Sequence, residues 1–244
     1  MTPHLSRKLG KLLFAVLHPS CWRALARRVA PGVEHRGLLR SLDYDVLLDV
    51  GANRGQFSMI ARIEHPRRRV HAFEPQPCEA LVYREILGGD PLVTLHEVAL
   101  GEEAGEADMH ISRKRDSSSL LPIGELQARM SPGTDEVGTH RVKVVTLDSL
   151  RQGWADARRV LLKLDVQGFE LSVLRGAKAV LGGCAYVYVE CSHIALYKGQ
   201  ALYPEVESFL ASHGFRPERR LNEHFSEGQL IQADYLFGRQ ALWT

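Results

Sequence analysis

Apolar runs of strand length alternate with segments of helical period along most of the chain, and this alternation constrains the fold more than any other feature. The candidate strands are VLLDV, RVHAFEP, VTLHEVAL, VLLKLDV and AYVYVE, with ADYLFGR near the end. The candidate helices are Gln56 to Ile63, Pro77 to Leu87, Phe169 to Leu181 and Tyr203 to His213. Strands that alternate with helices are typical of an open, mostly parallel sheet with crossover helices. We therefore predict a doubly wound α/β fold.

One segment interrupts this pattern. Residues 101–141 are rich in glycine, serine and charged residues and contain RKRDSSSLLP. A long irregular insertion in a compact domain is usually functional or mobile. Two interpretations are open: a solvated loop tip, or a lid whose polar side chains bind a substrate.

The length and composition indicate an ordinary globular domain. The chain has 244 residues, of which 45% are hydrophobic and 25% are charged, and this is enough for one domain with a large core. Its formal charge of +2 shows no strong bias toward nucleic acid. We predict an N-terminal extension over residues 1–40 and one domain over residues 41–244.

The N-terminal extension is basic and amphipathic. No acidic residue precedes Glu34, whereas lysines and arginines alternate with apolar residues. One interpretation is a helical pair on the domain surface, which we favour, and the other is a contact of residues 1–30 with an anionic membrane. The apolar run Leu12 to Leu17 is shorter than the roughly 20 residues that a membrane span needs, and no small-residue cleavage site follows it.

Four cysteines, Cys21, Cys78, Cys184 and Cys191, form neither a metal-ligand pattern nor a C-x-x-C pair. Such cysteines are typical of reduced thiols. We expect a cytoplasmic protein, and peripheral contact with the inner face of the membrane is the open alternative.

The stretch VLLDVGANRG joins a strand-like run to a glycine turn. Its spacing is G-x-x-x-G, with Asn53 where a dinucleotide fingerprint has its middle glycine, and no P-loop lysine follows. A pyrophosphate is therefore a poor fit. Asp49, before Gly51, would repel phosphate and attract a cationic ligand.

A second acid closes the next candidate strand. Glu74, in HAFEP, stands where a carboxylate can accept hydrogen bonds from both hydroxyls of a ribose. S-Adenosylmethionine carries an ammonium group, a sulfonium and a ribose. The pair of acids, Asp49 and Glu74, therefore predicts this cofactor.

Several motifs together resemble a known family. The segments DVGANRGQFS, VHAFEPQP, VALGEEAGEADMHI, SSSLLP, VVTLDSL, LLKLDVQGFELSVLRGA and YVYVECS occur in the order found in FkbM-type methyltransferases of the class I S-adenosylmethionine-dependent fold. The resemblance runs from about Asp45 to Phe237. It implies a Rossmann-like, seven-stranded sheet whose last strand is antiparallel. It also implies O-methylation of a hydroxyl on a sugar, a glycan or a polyketide-type small molecule.

The resemblance also implies roles for individual residues. It assigns Asp49, Gly51 and Gly55 to the first cofactor motif, which also includes Asn53, and Glu74 to the ribose. It assigns Val98 and Ala99 to the neighbourhood of the adenine, and Asp165 to the end of the fourth strand. It includes the SSSL segment and therefore favours a lid, in which the substrate-binding residues would be Asp116, Ser117, Ser118 and Ser119. The sequence departs from the family at Gln167, where many relatives have glutamate, so we give this position no charge-dependent role.

Transfer of a methyl group to a hydroxyl requires alignment of the reactants and a group that accepts the hydroxyl proton. Asp165 and Glu190 end two candidate strands, and His193 follows shortly after. We predict these three as catalytic residues, with His193 the default base because its ordinary pKa is nearest neutrality. Structural explanations remain open, because Asp165 can cap a helix and His193 can be a surface imidazole. Asp165 and Glu190 could instead share a divalent cation, so the metal requirement stays open.

Lys163 lies inside an apolar candidate strand. A buried lysine is costly unless it is paired. Either it pairs with an acid near the site or its ammonium group reaches solvent at the edge of the sheet.

Two other function classes are alternatives. Enzymes that methylate nucleic-acid amino groups carry a D/N-P-P-Y/F loop at the fourth strand tip, where this chain has DVQGF, and no basic face with aromatic residues is evident. We therefore expect a small-molecule, sugar or glycan acceptor and no nucleic acid. A non-catalytic assembly or scaffold protein that keeps the fold is the alternative, since fold alone does not establish turnover. The sequence predicts no oligomeric state.

Overall fold

The computed structural model describes residues 10–240 except residue 12. The chain divides into two compact units, Met1–Glu97 and Val98–Thr244. The extension predicted over residues 1–40 belongs to the first unit together with the first part of the predicted domain. The boundary at residue 40 stays a prediction.

The first unit contains three strands and several helices. Helix α1 covers the described residues of 10–17, and a 3₁₀ turn, Pro19–Cys21, leads into α2, Trp22–Ala26. A second 3₁₀ turn, Val33–His35, precedes α3, Arg36–Ser41. The remaining elements are β1 (Val46–Val50), α4 (Gln56–Glu64), β2 (Arg69–Phe73), α5 (Pro77–Leu87) and β3 (Val93–His96). The strands pair in parallel in the order β3-β2-β1.

The local sequence explains how these elements begin. All five residues of β1 are buried, as expected for a strand of a parallel sheet that is covered on both faces. Helix α5 begins at Pro77, whose fixed φ suits the first helical position. Helix α4 follows Gly55, which has φ +86°, and a Cβ there would lie 2.9 Å from Leu87 Cδ1. The positive φ favours glycine at this position, and a larger residue would require the Leu87 and Tyr83 side chains to move.

The second unit begins with β4 (Ala99–Leu100), β5 (Gly105–Ser112), a 3₁₀ turn (Arg115–Ser117), α6 (Glu125–Met130) and β6 (Glu136–Val145). A 3₁₀ segment (Leu147–Trp154), β7 (Val160–Leu164), α7 (Glu170–Arg175) and α8 (Lys178–Leu181) follow. The unit ends with β8 (Cys184–Ser192), α9 (Tyr203–Ser212), β9 (Phe215–Ser226) and β10 (Gln229–Arg239).

These strands confirm the predicted fold class. In the second unit β7 and β8 are parallel, and β10 is antiparallel to both β8 and β9, in the order β7-β8-β10-β9. With the three strands of the first unit they make up a mostly parallel seven-stranded sheet in which the last strand of the chain is antiparallel. Strands β4, β6 and β5 form a separate three-stranded sheet.

The segment predicted to be irregular contains regular structure. Strand β5 and the first part of β6 lie between residues 101 and 141 and pair antiparallel. Met109 of β5 packs in a small apolar cluster with Ala99 of β4 and with Val142 and Val144 of β6. The prediction of an irregular insertion was wrong because most residues of the two strands between residues 101 and 141 are exposed and polar or glycine, so few apolar side chains mark an alternation.

Three further differences concern single predicted elements. The candidate strand VTLHEVAL divides into β3 and β4, which belong to different sheets. The helix predicted over residues 169–181 divides into α7 and α8 near Gly176, where a Cβ would lie 2.0 Å from the Gly101 carbonyl oxygen. Strand β9 was not predicted, because its side chains are almost all exposed and mostly polar.

Candidate active site

Asp49 lies in β1 and is fully buried. The Ser58 hydroxyl on α4 donates to Asp49 Oδ2 (2.6 Å), and the Tyr83 hydroxyl on α5 donates in turn to Ser58 Oγ (2.9 Å). Burial, and then the charge of Asp49, raises the pKa of Tyr83, so Tyr83 remains a hydroxyl that donates. Helices α4 and α5 thus fix the orientation of a buried acid.

The glycine turn after β1 is shaped by its backbone. Gly51, Asn53 and Gly55 all have positive φ, at 73°, 49° and 86°, a region in which glycine and asparagine are the favoured residues. The amides of Gly51 and Ala52 both donate to the Phe73 carbonyl oxygen at 3.0 Å. The turn is therefore attached to the end of β2.

Glu74 follows β2 and is buried. Its Oε2 accepts from the Asn53 amide (2.8 Å), and its Oε1 accepts from the Gln76 amide (2.8 Å). A carboxylate oxygen accepts more than one hydrogen bond, so Glu74 can bind hydroxyls in addition. Glu74 lies beside the glycine turn. Its contact with a ribose, and that of Asp49 with the cationic end of S-adenosylmethionine, stay predictions.

The structure thus brings five predicted cofactor residues together in the first unit: Asp49, Gly51, Asn53, Gly55 and Glu74. The other two, Val98 and Ala99, belong to the second unit. Ala99 is buried in β4 and pairs with Val144. Contact of these two residues with the adenine stays a prediction.

The second unit contains a polar cavity of about 310 Å³. It is lined by Asp116, Ser117, Gln127, Met130, Ser131, Asp165, Gln167, Glu190, Leu196, His224, Ile231 and Gln232. Four predicted site residues, Asp165, Glu190, Asp116 and Ser117, are among them. The cavity is therefore the candidate acceptor site.

Gln167 connects the two carboxylates of this cavity. Its side-chain amide nitrogen donates to Asp165 Oδ1 (2.7 Å) and to Glu190 Oε2 (3.0 Å). The Tyr197 hydroxyl donates to Gln167 Oε1 (2.8 Å) and lies 3.0 Å from the Ser117 carbonyl oxygen. Gln167 also has a positive φ of 55°. A neutral amide thus holds two acids in one arrangement.

The charges around Glu190 favour its protonated form. Burial raises the pKa of Glu190 well above its ordinary value, and the charges of Asp165, Asp234 and Glu170 raise it further, while Lys163 opposes them. A carboxylate whose pKa is raised is a stronger base than an ordinary one. Lys163 is buried, and its Nζ lies 3.9 Å from Asp165 Oδ2. Of its two interpretations, the pairing with an acid near the site is therefore the one observed.

The serines of the predicted lid have different positions. Ser117 lines the cavity together with Asp116, whereas Ser118 and Ser119 are buried. Ser118 Oγ accepts from the Ser112 amide (3.1 Å), and Ser119 Oγ donates to the Gln167 carbonyl oxygen (2.7 Å). Through these hydrogen bonds Ser118 and Ser119 hold the segment against the rest of the unit. Asp116 and Ser117 are the residues of the predicted lid that a ligand in the cavity could contact.

His193 is not among the residues that line the cavity. Its Nε2 hydrogen-bonds the Tyr235 hydroxyl (2.7 Å), and its ring stacks on Tyr203. Tyr235 pairs with Val189. Because side chains alternate across a strand, this places the His193 ring on the face of the sheet opposite Glu190. Burial and the charge of Arg220 lower the pKa of His193.

Several lining residues have no counterpart in the sequence prediction: Gln127, Ser131, Gln167, His224 and Gln232. The first two lie in and beside α6, and the last two lie in the β9–β10 hairpin. No local motif connects these segments. Only Gln167 offered a signal, since it stands between Asp165 and a glycine in DVQGF.

Metal ligands were left open by the sequence. Among the residues that the structure describes, no group of three or more histidines, cysteines, aspartates or glutamates is arranged to hold a metal ion. In the same part of the chain, no helix is long and apolar enough to cross a membrane.

The order of the strands and the acids at the ends of β1 and β2 define a class I S-adenosylmethionine-dependent methyltransferase. The family model described as "Methyltransferase FkbM domain" matches residues 49–217. The chain belongs to the FkbM methyltransferase family. It is an enzyme that transfers methyl groups from S-adenosylmethionine, and this is evidence against the scaffold alternative.

Three relatives have assigned names. The 2-O-methyltransferase NoeI of Sinorhizobium fredii (strain NBRC 101917 / NGR234) is 29% identical over 183 residues, 68% of this chain and 72% of that protein. The methyltransferase sdnD of Sordaria araneosa is 28% identical over 192 residues, 69% and 73% of the two chains. The 31-O-demethyl-FK506 methyltransferase FkbM of Streptomyces tacrolimicus is 61% identical over 33 residues, 14% and 13% of the two chains.

Solved structures with some likeness are also methyltransferases. Precorrin-6y C5,15-methyltransferase from Geobacter metallireducens GS-15 has a TM-score of 0.46 and 14% identity, over 84% of this chain and 87% of that one. Magnesium protoporphyrin IX methyltransferase from Synechocystis PCC 6803 has a TM-score of 0.47 and 10% identity, over 85% and 81%. The family assignment depends on the sequence match and not on these likenesses.

Proposed function

We propose that this enzyme methylates a hydroxyl oxygen of a sugar or glycan. The observation that carries the proposal is the polar cavity in which Gln167 joins Asp165 to Glu190. Such an arrangement provides both a proton acceptor and hydrogen-bonding groups for a neighbouring hydroxyl. The name of the relative from Sinorhizobium fredii, a 2-O-methyltransferase, supports oxygen as the methylated atom.

The lining of the cavity favours an uncharged polyol as the acceptor. Most of the lining residues are amides, hydroxyls and acids, and the lining that the structure describes contains neither lysine nor arginine. A phosphate or carboxylate beside Asp116 and Asp165 would be repelled. A sugar has many hydroxyls and no charge, so it suits this lining better than an apolar polyketide or an anionic acceptor.

In the proposed mechanism, the carboxylates of Asp49 and Glu74 bind the cationic and ribose parts of the cofactor. When bound, S-adenosylmethionine supplies an electrophilic methyl group, whose bond to sulfur breaks as the bond to the acceptor oxygen forms. Glu190 accepts the proton of the acceptor hydroxyl at its carboxylate. Asp165 accepts a hydrogen bond that orients the acceptor, and Gln167 holds both carboxylates in position.

The raised pKa of Glu190 supports its choice as the proton acceptor over His193. A group that accepts a proton must reach it by a hydrogen bond, and Glu190 lines the cavity whereas His193 contacts Tyr203 and Tyr235.

For the location of the protein in the cell we propose the cytoplasm, because Cys21, Cys78, Cys184 and Cys191 are free thiols.

Methyl transfer to defined acceptors tests this proposal. The purified protein is incubated with S-adenosylmethionine carrying a labelled methyl group and with a panel of neutral sugars, anionic sugars and polyketides. We expect the label as a methyl ether on a neutral sugar. Label on nitrogen or carbon would contradict O-methylation, and transfer to polyketides alone would contradict the sugar.

A further inference from the structure

The N-terminal segment carries an outward-facing apolar surface. Leu13, Val16, Leu17 and Trp22 are 59%, 52%, 67% and 60% exposed. They are four of the seven exposed large apolar side chains in the part of the chain that the structure describes. We call these four residues the ridge. Concentration of so many exposed apolar groups in one short segment is typical of an interaction surface.

Helix α1 is attached to the first unit by its other face. Ala15 is fully buried, and the Arg36 guanidinium lies over the Phe14 ring, 4.8 Å from its centroid. Lys11 forms an ion pair with Glu34 at 2.8 Å. Since one face of α1 is fixed against the protein, the apolar residues on the other face are directed outward by the fold.

The ridge is continuous in space. Leu13, Val16 and Leu17 have the i, i+3, i+4 spacing of residues on one face of a helix. The Trp22 indole Nε1 donates to the Val16 carbonyl oxygen at 3.1 Å. This hydrogen bond places the Trp22 ring, at the start of α2, beside the end of α1.

Basic residues accompany the ridge. Arg23, Arg27 and Arg28 follow Trp22 and are exposed, and Arg27 also contacts Glu85. No acidic residue precedes Glu34 in the sequence. The segment therefore combines exposed apolar side chains with positive charge.

We propose that the ridge and these arginines form a peripheral docking surface for an anionic lipid bilayer. Aliphatic side chains of an in-plane helix enter the boundary between headgroups and acyl chains. Tryptophan is favoured at the level of the headgroups, and arginine is attracted to anionic lipid. Both signals are present here in one segment. The proposal is independent of the acceptor chemistry, since none of these residues lines the acceptor cavity.

Vesicle flotation with the full-length protein tests the surface. The probes are vesicles of phosphatidylcholine alone and vesicles of phosphatidylcholine with phosphatidylglycerol, each at low and high salt. We expect binding to the anionic vesicles at low salt and weaker binding at high salt, because salt screens the arginines. The double variant Leu13→Ser, Leu17→Ser should weaken binding at least about tenfold.

Matched control variants distinguish an effect of the ridge from nonspecific binding of vesicles to exposed apolar residues. Leu81 and Phe225 are exposed to 52% and 51% elsewhere on the molecule, and Leu81→Ser with Phe225→Ser should leave vesicle binding unchanged. Arg23→Gln with Arg28→Gln should remove the preference for anionic lipid, and this pair tests the proposal even if the leucine variant does not fold. Calorimetric binding of S-adenosylhomocysteine checks that each variant is folded.

Three results would overturn the proposal: no flotation with anionic vesicles at low salt, equal binding to neutral vesicles, or full binding by a folded leucine variant. A dimer of the wild type that the leucine variant converts to monomer, with no flotation, would instead assign the ridge to a contact between two copies of the chain.

Discussion

The glycine turn of the first unit and the acceptor cavity of the second are built in opposite ways. Backbone amides and residues close in sequence form the turn, from Asp49 to Ser58 and from Phe73 to Gln76. Side chains from distant segments, between Asp116 and Gln232, form the cavity. The turn is therefore encoded locally and the cavity by the tertiary fold. A substitution in the cavity should alter chemistry with little effect on the cofactor, whereas one in the turn should alter cofactor binding first.

The largest expected effect is on turnover in the cavity. Glu190→Gln removes the proposed proton acceptor and should lower kcat by roughly 10²–10⁴, while S-adenosylhomocysteine binding stays unchanged. In the wild type, activity should rise with pH as Glu190 loses its proton, over a range above the ordinary glutamate pKa, because its pKa is raised. Steady-state kinetics across pH, with any acceptor found in the panel, measure both.

Asp234→Asn is the matched control for Glu190. Asp234 accepts hydrogen bonds from Tyr188 (2.6 Å) and Asn222 (2.7 Å) and does not line the cavity. Its loss should change kcat far less. Similar losses of kcat in the two variants would mean that Glu190 and Asp234 act together through their charges. Glu190 would then have no role of its own in the cavity.

The next effect is on stability beside the cavity. Burial raises the pKa of Glu170 to about 7, although its carboxylate accepts from the amides of Val166 and Gly168. A carboxyl with a raised folded pKa stabilises the protein below its unfolded pKa, and this contribution is lost as pH rises through about 7. Glu170→Gln keeps an acceptor for both amides and carries no charge.

We therefore expect Glu170→Gln to be more stable than the wild type above neutrality, by on the order of 3 kcal/mol, and the two to converge in acid. Urea unfolding at several pH values measures this, with the exposed Glu103→Gln as control. If the free energy of unfolding of the wild type does not fall between pH 5 and 8, ionisation of Glu170 does not destabilise the folded protein, and the prediction is wrong.

A smaller effect is expected in the turn. Glu74→Ala removes the carboxylate that we propose binds the ribose, and it should weaken S-adenosylhomocysteine binding roughly ten- to a hundredfold. Calorimetric titration measures the change, and Glu97→Ala, at an exposed acid after β3, should leave affinity unchanged. Unaltered binding by Glu74→Ala would remove the turn from the cofactor site.

The smallest effect on turnover is expected at His193, which does not line the cavity. His193→Ala should keep near-normal turnover, because its ring contacts Tyr203 and Tyr235. Kinetics on the acceptor that tests Glu190 decide this. If His193→Ala loses turnover but retains cofactor affinity, the proton acceptor lies outside the cavity and the original prediction of His193 as base is restored.

The same contrast explains what could be predicted from the sequence. Asp49 and Glu74 were predicted because each lies beside a strand and a turn that short patterns indicate. Gln167 was given no charge-dependent role, and its bridging of Asp165 and Glu190 depends on β8, which is distant in sequence. His193 was predicted to lie close to Glu190 because the two residues are near in sequence. Side chains alternate between the two faces of a sheet, however, and the two side chains lie on opposite faces. Strands β5 and β6 were missed because most of their residues are exposed and few are apolar and buried.

Strand β9 ends the seven-stranded sheet, and its sequence determines how the sheet terminates. An edge strand offers unpaired backbone groups to any other strand that approaches. Here the exposed side chains are largely charged, Pro217 cannot donate a hydrogen bond, and the pairing with β10 is irregular at several points. These features oppose growth of the sheet by a further strand. Because β9 covers the other side of β10, β10 is an interior strand held in register on both sides, and Gln232 keeps its place in the wall of the cavity.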